Sequence, residues 1–233
     1  MMILNGSDNN DQAEPATGKR PPVFIVGGSR TGSEMLKTML SASPMLDFVD
    51  EMRLLMPAWL HRDLASTIDQ HFGSLAKVDS AQALVELLFS GKPTGWFWSA
   101  VDSQLDRKMF AEELGQPPYR LAGLFESIMR AHARTHGKRG LGAKFAVHYS
   151  YTDRLVEWFP DCRIIHTTRH PKAVYLSQAR KHGSDSRSIC AVAYSRFQQF
   201  ALINIHTTGT ARLHRRFRGS ANYCLVRYED IVR

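Results

Sequence analysis

The segment from Val23 to Leu40 constrains the fold of this 233-residue chain more than any other. Val23-Phe24-Ile25-Val26 is a short apolar, β-branched run with no polar alternation. Such a run predicts a strand buried on both faces of a parallel sheet. Gly27-Gly28-Ser29-Arg30-Thr31-Gly32 follows as a loop. From Ser33 to about Ser43, Met35, Leu36, Met39 and Leu40 recur at helical spacing and predict one apolar stripe. Strand, glycine loop and helix together open an α/β domain. Residues 1–20 are polar, small and charged and are expected to form a disordered tail, which Pro21-Pro22 ends. One domain over residues 21–233 is the natural expectation for this length.

The α/β pattern returns later in the chain. Gly142–Val147 reads as a short strand, Thr152–Phe159 as a helix, and Arg163–Thr168 as a second buried strand. Pro171 suits the first turn of a helix running to about Lys181. Ser186 opens a long helix with Ile189, Val192, Ala193, Phe197 and Phe200 on one face, and Tyr223–Val226 is a last strand. Between the two halves, residues 54–136 read as mainly helical. Ser80 is a candidate N-cap, and Gly137 a candidate stop after the helix Leu121–Ala133. Trp96-Phe97-Trp98 forms a dense aromatic cluster in that region.

A formal net charge of +8 favours anionic partners. The basic residues are scattered rather than gathered in one tract with aromatics, so nucleic acid is not the expected partner. Cys162, Cys190 and Cys224 form no C-x-x-C pair, and an odd, sparse count argues against a disulfide framework. No apolar stretch approaches membrane-spanning length, and no secretory leader is legible at Met1–Leu4. A cytoplasmic location is the expectation. No metal-ligand cluster is legible either.

Gly27-x-x-x-x-Gly32 has the glycine spacing of a phosphate loop. Glycines let the backbone curl until successive N–H groups converge on an anion, and the helix starting at Ser33 points its positive end at the same place. A nucleoside-triphosphate site of the usual kind needs Lys and then Ser/Thr directly after the second glycine. Here Ser33 and Glu34 hold those positions, and the positive charge sits inside the loop as Arg30. The strand Arg163–Thr168 delivers a second candidate, Arg169-His170-Pro171 with Ser177 about two helical turns on. Arginine at the carboxyl end of a buried strand can hold a phosphate through two parallel hydrogen bonds.

Together the two sites resemble those of the 3′-phosphoadenylyl sulfate (PAPS)-dependent sulfotransferase family. Ser29-Arg30-Thr31-Gly32-Ser33-Glu34 resembles the family's P-R-S-G-T-T segment, with Glu34 in place of a threonine. Arg169 through Ser177 resembles its R-[DH]-P-x-x-x-x-x-S segment. Lys144 resembles the lysine of K-T-P, here followed by Phe145-Ala146, and Arg227-Tyr228-Glu229-Asp230 resembles R-Y-E-D. The closest likeness is to the protein-tyrosine and bacterial branches, where a glutamate after the first helix is the base; that residue would be Glu51.

The resemblance implies an α/β fold, a parallel sheet flanked by helices in a three-layer sandwich like that of P-loop nucleotide kinases. It also implies a domain incomplete at its C-terminus, since the family's domain continues past this segment. It implies PAPS as co-substrate, 3′,5′-ADP as product and no metal. Gly28, Ser29, Arg30, Thr31, Gly32 and Ser33 would hold the 5′-phosphosulfate, Arg169 and Ser177 the 3′-phosphate, and Tyr228 would approach the nucleotide. Arg30, Lys144 and Glu51 would be catalytic, with Asp47 and Asp50 as alternative bases. The acceptor is open among carbohydrate, lipid, peptide and small alcohol. The alternative reading is a P-loop-like nucleotide-binding kinase lacking the standard lysine.

Overall fold

The computed structural model describes the chain over residues 20–50, 68–70, 72–90, 104–181 and 189–233. In chain order the elements are β1 (Val23–Gly27), α1 (Ser33–Ser41), β2 (Val49–Asp50), α2 (Ala81–Phe89), α3 (Arg107–Leu114) and α4 (Leu121–Thr135). They continue with β3 (Gly142–Lys144), α5 (Thr152–Trp158), β4 (Arg163–Thr168), α6 (Pro171–Lys181), α7 (Ile189–Phe217), β5 (Tyr223–Arg227) and α8 (Tyr228–Ile231). The strands form one parallel sheet in the order β2-β3-β1-β4-β5. Parallel neighbours need crossover connections, which is why helices separate the strands.

β1 lies at the centre of this sheet, and Phe24, Ile25 and Val26 are fully buried. Alternate side chains serve opposite faces, as the strand period requires. Phe24 and Val26 join the large core with Leu124, Phe125 and Ile128 of α4 and Leu155 of α5. Ile25 faces the other way, onto Leu36 of α1 and Phe48. Both faces of the sheet are therefore covered, and the molecule has the expected three layers. The chain leaves β1 toward β2 and β3 on one side and later returns to β4 on the other. Such a reversal of strand order opens a crevice at the carboxyl ends of the central strands.

Local signals set several boundaries. The Ser80 hydroxyl accepts from the Ala83 amide at 3.2 Å and starts α2. Gly137, at φ +66°, ends α4. The Lys138 amide reaches the Ala133 carbonyl at 2.8 Å and the Gly137 amide the Arg134 carbonyl at 3.0 Å, the paired bonds of a left-handed helix stop.

Other expectations need correction. α1 ends at Ser41, and of its four-residue stripe only Leu36 is buried, while Met39 is exposed. A helix packed on one side of a strand buries a narrower face than its composition offers. The strand expected over 142–147 stops at Lys144, where Ala146–Ser150 turns into a 3₁₀ segment. On the apolar face read for α7, Phe197 and Phe200 are exposed. The cluster at 96–98 lies outside the described residues.

Candidate active site

The loop after β1 brings its parts to the carboxyl edge of the sheet. Gly32 is the N-cap of α1 at φ +90°, with no side chain capping the helix, so the first amides of α1 face the loop uncapped. Arg30 is the one described non-glycine residue at positive φ, +67°. Strain of that kind gathers at functional sites. The Thr31 hydroxyl donates to the Gly28 carbonyl at 2.7 Å and lies 2.8 Å from the Thr167 hydroxyl of β4. Its side chain is thereby committed to holding the loop against the neighbouring strand, which leaves backbone N–H groups, Ser29, Arg30 and Ser33 to meet a ligand.

The second motif closes on the first. Arg30 Nε donates to Ser177 Oγ on α6 at 3.0 Å. Arg169, just past β4, reaches the Arg30 carbonyl with Nη1 at 3.5 Å. Its guanidinium carbon lies 3.9 Å from the centroid of the Tyr228 ring, a cation–π stack. Arg169 Nε is buried without a hydrogen-bond partner among the described residues. A buried donor of that type is costly unless something accepts from it. Glu229, beside Tyr228, accepts from the His170 amide at 2.9 Å. That bond, with Arg227 and Arg169 nearby, holds its carboxyl below the usual range. Four chain segments thus meet at one edge: the first loop, the end of β4, α6 and the start of α8.

Lys144, at the end of β3 and only 5% exposed, pairs with Glu34 at 2.6 Å and Asp50 at 2.9 Å. Lys37 pairs with the same two carboxylates, Glu34 at 2.8 Å and Asp50. Two cations and two anions thus neutralise each other beside the loop. Burial works to raise the Glu34 carboxyl, but Lys144 and Lys37 outweigh it and hold the group below its ordinary range. The glutamate that replaces the family's threonine therefore does not oppose a loop-bound anion as an isolated charge.

A cavity of about 280 Å³ adjoins the loop, bounded by Gly28, Ser29, Arg169, His166, His206 and His214. His166 lies in β4, and its Nδ1 is 2.6 Å from the Tyr223 hydroxyl. Burial, with His214 nearby, holds its imidazole down to about 4. Burial also lowers His206. Neither His166 in a strand nor His206 and His214 on α7 carries a signal in the sequence of what it faces.

The structure therefore brings together Gly28, Ser29, Arg30, Thr31, Gly32, Ser33, Arg169, Ser177 and Tyr228, with Lys144 alongside. Glu51 lies outside the described residues. One cluster was missed entirely. Asp47, His132 and His136 meet at one point, contrary to the expectation of no ligand cluster. The i, i+4 histidines on α4 were the available signal; the aspartate, distant in sequence, could not be joined to them without the fold.

The chain is thus a parallel α/β protein whose two arginine-bearing motifs meet at the switch point of the sheet. Residues 21–233 match the model of the sulfotransferase family, and the chain belongs to that family. Among solved structures it is similar to the sulfotransferase STF9 from Mycobacterium avium, at 13% identity and TM-score 0.45, covering 91% of this chain and 59% of that one. It is also similar to a sulfotransferase from Alicyclobacillus acidocaldarius, at 14% identity and TM-score 0.46, covering 91% and 75% respectively. For the sulfotransferase STF1 from Mycobacterium tuberculosis the figures are 16% identity, TM-score 0.46, and coverage of 92% and 64%. No curated protein matches the chain. Among the described residues no helix is long and apolar enough to cross a membrane.

Proposed function

We propose that this chain binds PAPS and transfers its sulfuryl group to an acceptor hydroxyl or amine. The observation that carries the reading is the Arg30–Ser177 hydrogen bond, which joins the two anion motifs across the crevice. A ligand spanning them would need two separate anionic groups, and PAPS has them: a 5′-phosphosulfate and a 3′-phosphate. The loop amides, Arg30 and Ser33 would take the first, and Arg169 and Ser177 the second. Tyr228, already stacked on Arg169, would support the nucleotide side.

In the reaction the sulfur–oxygen bond to the 5′-phosphate breaks as a new bond to the acceptor forms, and the acceptor proton goes to a base. Charge builds on the departing phosphate, so fixed donors aimed at it supply most of the assistance. Arg30 and the loop amides fit that role. Lys144 would turn from Glu34 toward the bridging oxygen. Asp47 and Asp50 are both engaged, Asp47 by two histidines and Asp50 by two lysines, which favours Glu51 as the base. The domain is read as residues 21–233, and a reducing compartment such as the cytoplasm suits the free thiols Cys162 and Cys224. The acceptor is a nucleophile of one of the four classes named above.

The test is thermal denaturation with 3′,5′-ADP, 5′-ADP and ATP. At about 100 times its dissociation constant, 3′,5′-ADP should add about 2.7 kcal/mol of stability. Arg169→Ala should abolish the preference for it. Stabilisation by ATP and not by 3′,5′-ADP would overturn the proposal in favour of a kinase-like site.

A further inference from the structure

The second cluster of the molecule lies away from the loop, where α4 passes the chain leading into β2. His132 and His136 stand one turn apart on α4, with ring centroids 4.4 Å apart. His132 Nε2 is 3.3 Å from Asp47 Oδ2, and His136 Nδ1 is 3.1 Å from the same oxygen. One ligand-type atom from each residue falls within 4.8 Å of the other two.

Two of the three groups are held from behind. Asp47 Oδ1 accepts from the Ser41 hydroxyl at 3.1 Å and from the Phe48 amide at 2.8 Å, which leaves Oδ2 for the histidines. His132 Nδ1 faces the Gln104 carbonyl at 3.3 Å. A carbonyl can only accept, so Nδ1 carries a ring hydrogen and Nε2 is the nitrogen left to face the carboxylate. His132 is 4% exposed, and its Nε2 has no hydrogen-bond partner among the described residues. A lone pair on Nε2 would repel the carboxylate oxygen 3.3 Å away unless a cation lay between them.

The spacing suits such an ion. With ligand atoms about 2.0–2.1 Å from a tetrahedral zinc ion, neighbouring ligand atoms stand about 3.3 Å apart. The two observed separations, 3.3 and 3.1 Å, are edges of that size. Metal-bound histidines commonly direct their second nitrogen at a backbone carbonyl, as His132 does. His136 also reaches the His132 carbonyl with Nδ1 at 3.0 Å, a contact it would release on taking a metal.

We propose that Asp47, His132 and His136 form a site for one zinc-class divalent cation, with water completing the coordination. Two neutral imidazoles and one carboxylate suit zinc, nickel or copper better than calcium or magnesium, which prefer oxygen. The His136 side chain is 44% exposed, which gives the ion a way in. Asp47 precedes Asp50 by three residues, and Asp50 holds Lys37 and Lys144. The ion would therefore brace the strand that carries one corner of the four-charge network. This inference is independent of the nucleotide reading.

The test uses the full chain without a histidine tag, stripped with chelator and titrated with Zn²⁺ against a chromophoric competitor. One Zn²⁺ per chain and a raised melting temperature are expected. His136→Ala and Asp47→Asn should each weaken uptake more than tenfold, since even a supporting partner of a metal ligand is worth that much. His136→Ala removes a partly exposed ring and should stay folded by circular dichroism, so it decides the matter if Asp47→Asn does not fold. No stoichiometric uptake, or uptake unchanged in the folded variants, would overturn the site.

Discussion

Gly32 offers a sharp test of how the loop and the end of the chain fit together. A Cβ added there would lie 2.5 Å from Cδ2 of Tyr228, against 3.4–4 Å for ordinary contact. It would also sit at φ +90°, where an L side chain is strained. The conformational part costs about 1–2 kcal/mol. The ring must also shift, and it is the platform for Arg169 at 3.9 Å. Losing that stack costs about 1 kcal/mol, within the usual span for cation–π pairs. Gly32→Ala should therefore destabilise by about 2–3 kcal/mol, and Tyr228→Ala by about 1 kcal/mol. The double variant should cost no more than Gly32→Ala alone, because the stack can be lost only once. The coupling is then about 1 kcal/mol in the sense of relief. Urea denaturation of the four proteins measures it. Additivity within about 0.5 kcal/mol would refute the claim that Gly32 is glycine to make room for Tyr228.

Three further outcomes are expected. His166 is 1% exposed and burial depresses it from 6.5 to about 4, so the unfolded chain binds its proton first as pH falls. Its contribution is complete above about pH 6.5 and fades toward pH 4, with about 2 kcal/mol lost between pH 7 and pH 5. Denaturant midpoints across that range should slope less in His166→Leu, and an identical slope would disprove the assignment. Lys144→Met leaves Glu34 and Asp50 sharing Lys37 alone. Glu34 is exposed and Asp50 keeps Lys37 on its other oxygen, so about 1–2 kcal/mol should be lost, below the full value of a broken buried pair. Equilibrium unfolding checks it. Arg169→Lys keeps the charge but not the planar stack on Tyr228, and should weaken 3′,5′-ADP about tenfold by calorimetry, a loss of about 1.4 kcal/mol.

The two motifs that meet at the crevice were legible in the sequence because each is local. Glycine spacing, an arginine at a strand end and a serine two turns later each occupy one short segment. The central strand was legible for the same reason, since Val23–Val26 has no polar face. What escaped depended on packing. Nothing local told that Met39 would face solvent, that Phe197 and Phe200 would be exposed, or that Glu34 would find Lys144 besides its i,i+3 neighbour Lys37. The Asp47–His132–His136 cluster joins a loop to a helix 85 residues later, and only the β2–α4 contact reveals it. Thr31 has the reverse lesson: it lies within the motif, yet its hydroxyl serves the scaffold.

The Arg30–Ser177 bond spans 147 residues of sequence, and Tyr228 adds another 51. A crevice sewn from such distant segments is among the last features a folding chain completes, because long loops must close before its contacts form. A doubly anionic ligand seated there would fasten the first strand's loop to the last strand's end. Its grip would be felt as slower proteolysis and slower amide exchange in β5 and α8, far along the chain from the loop after β1.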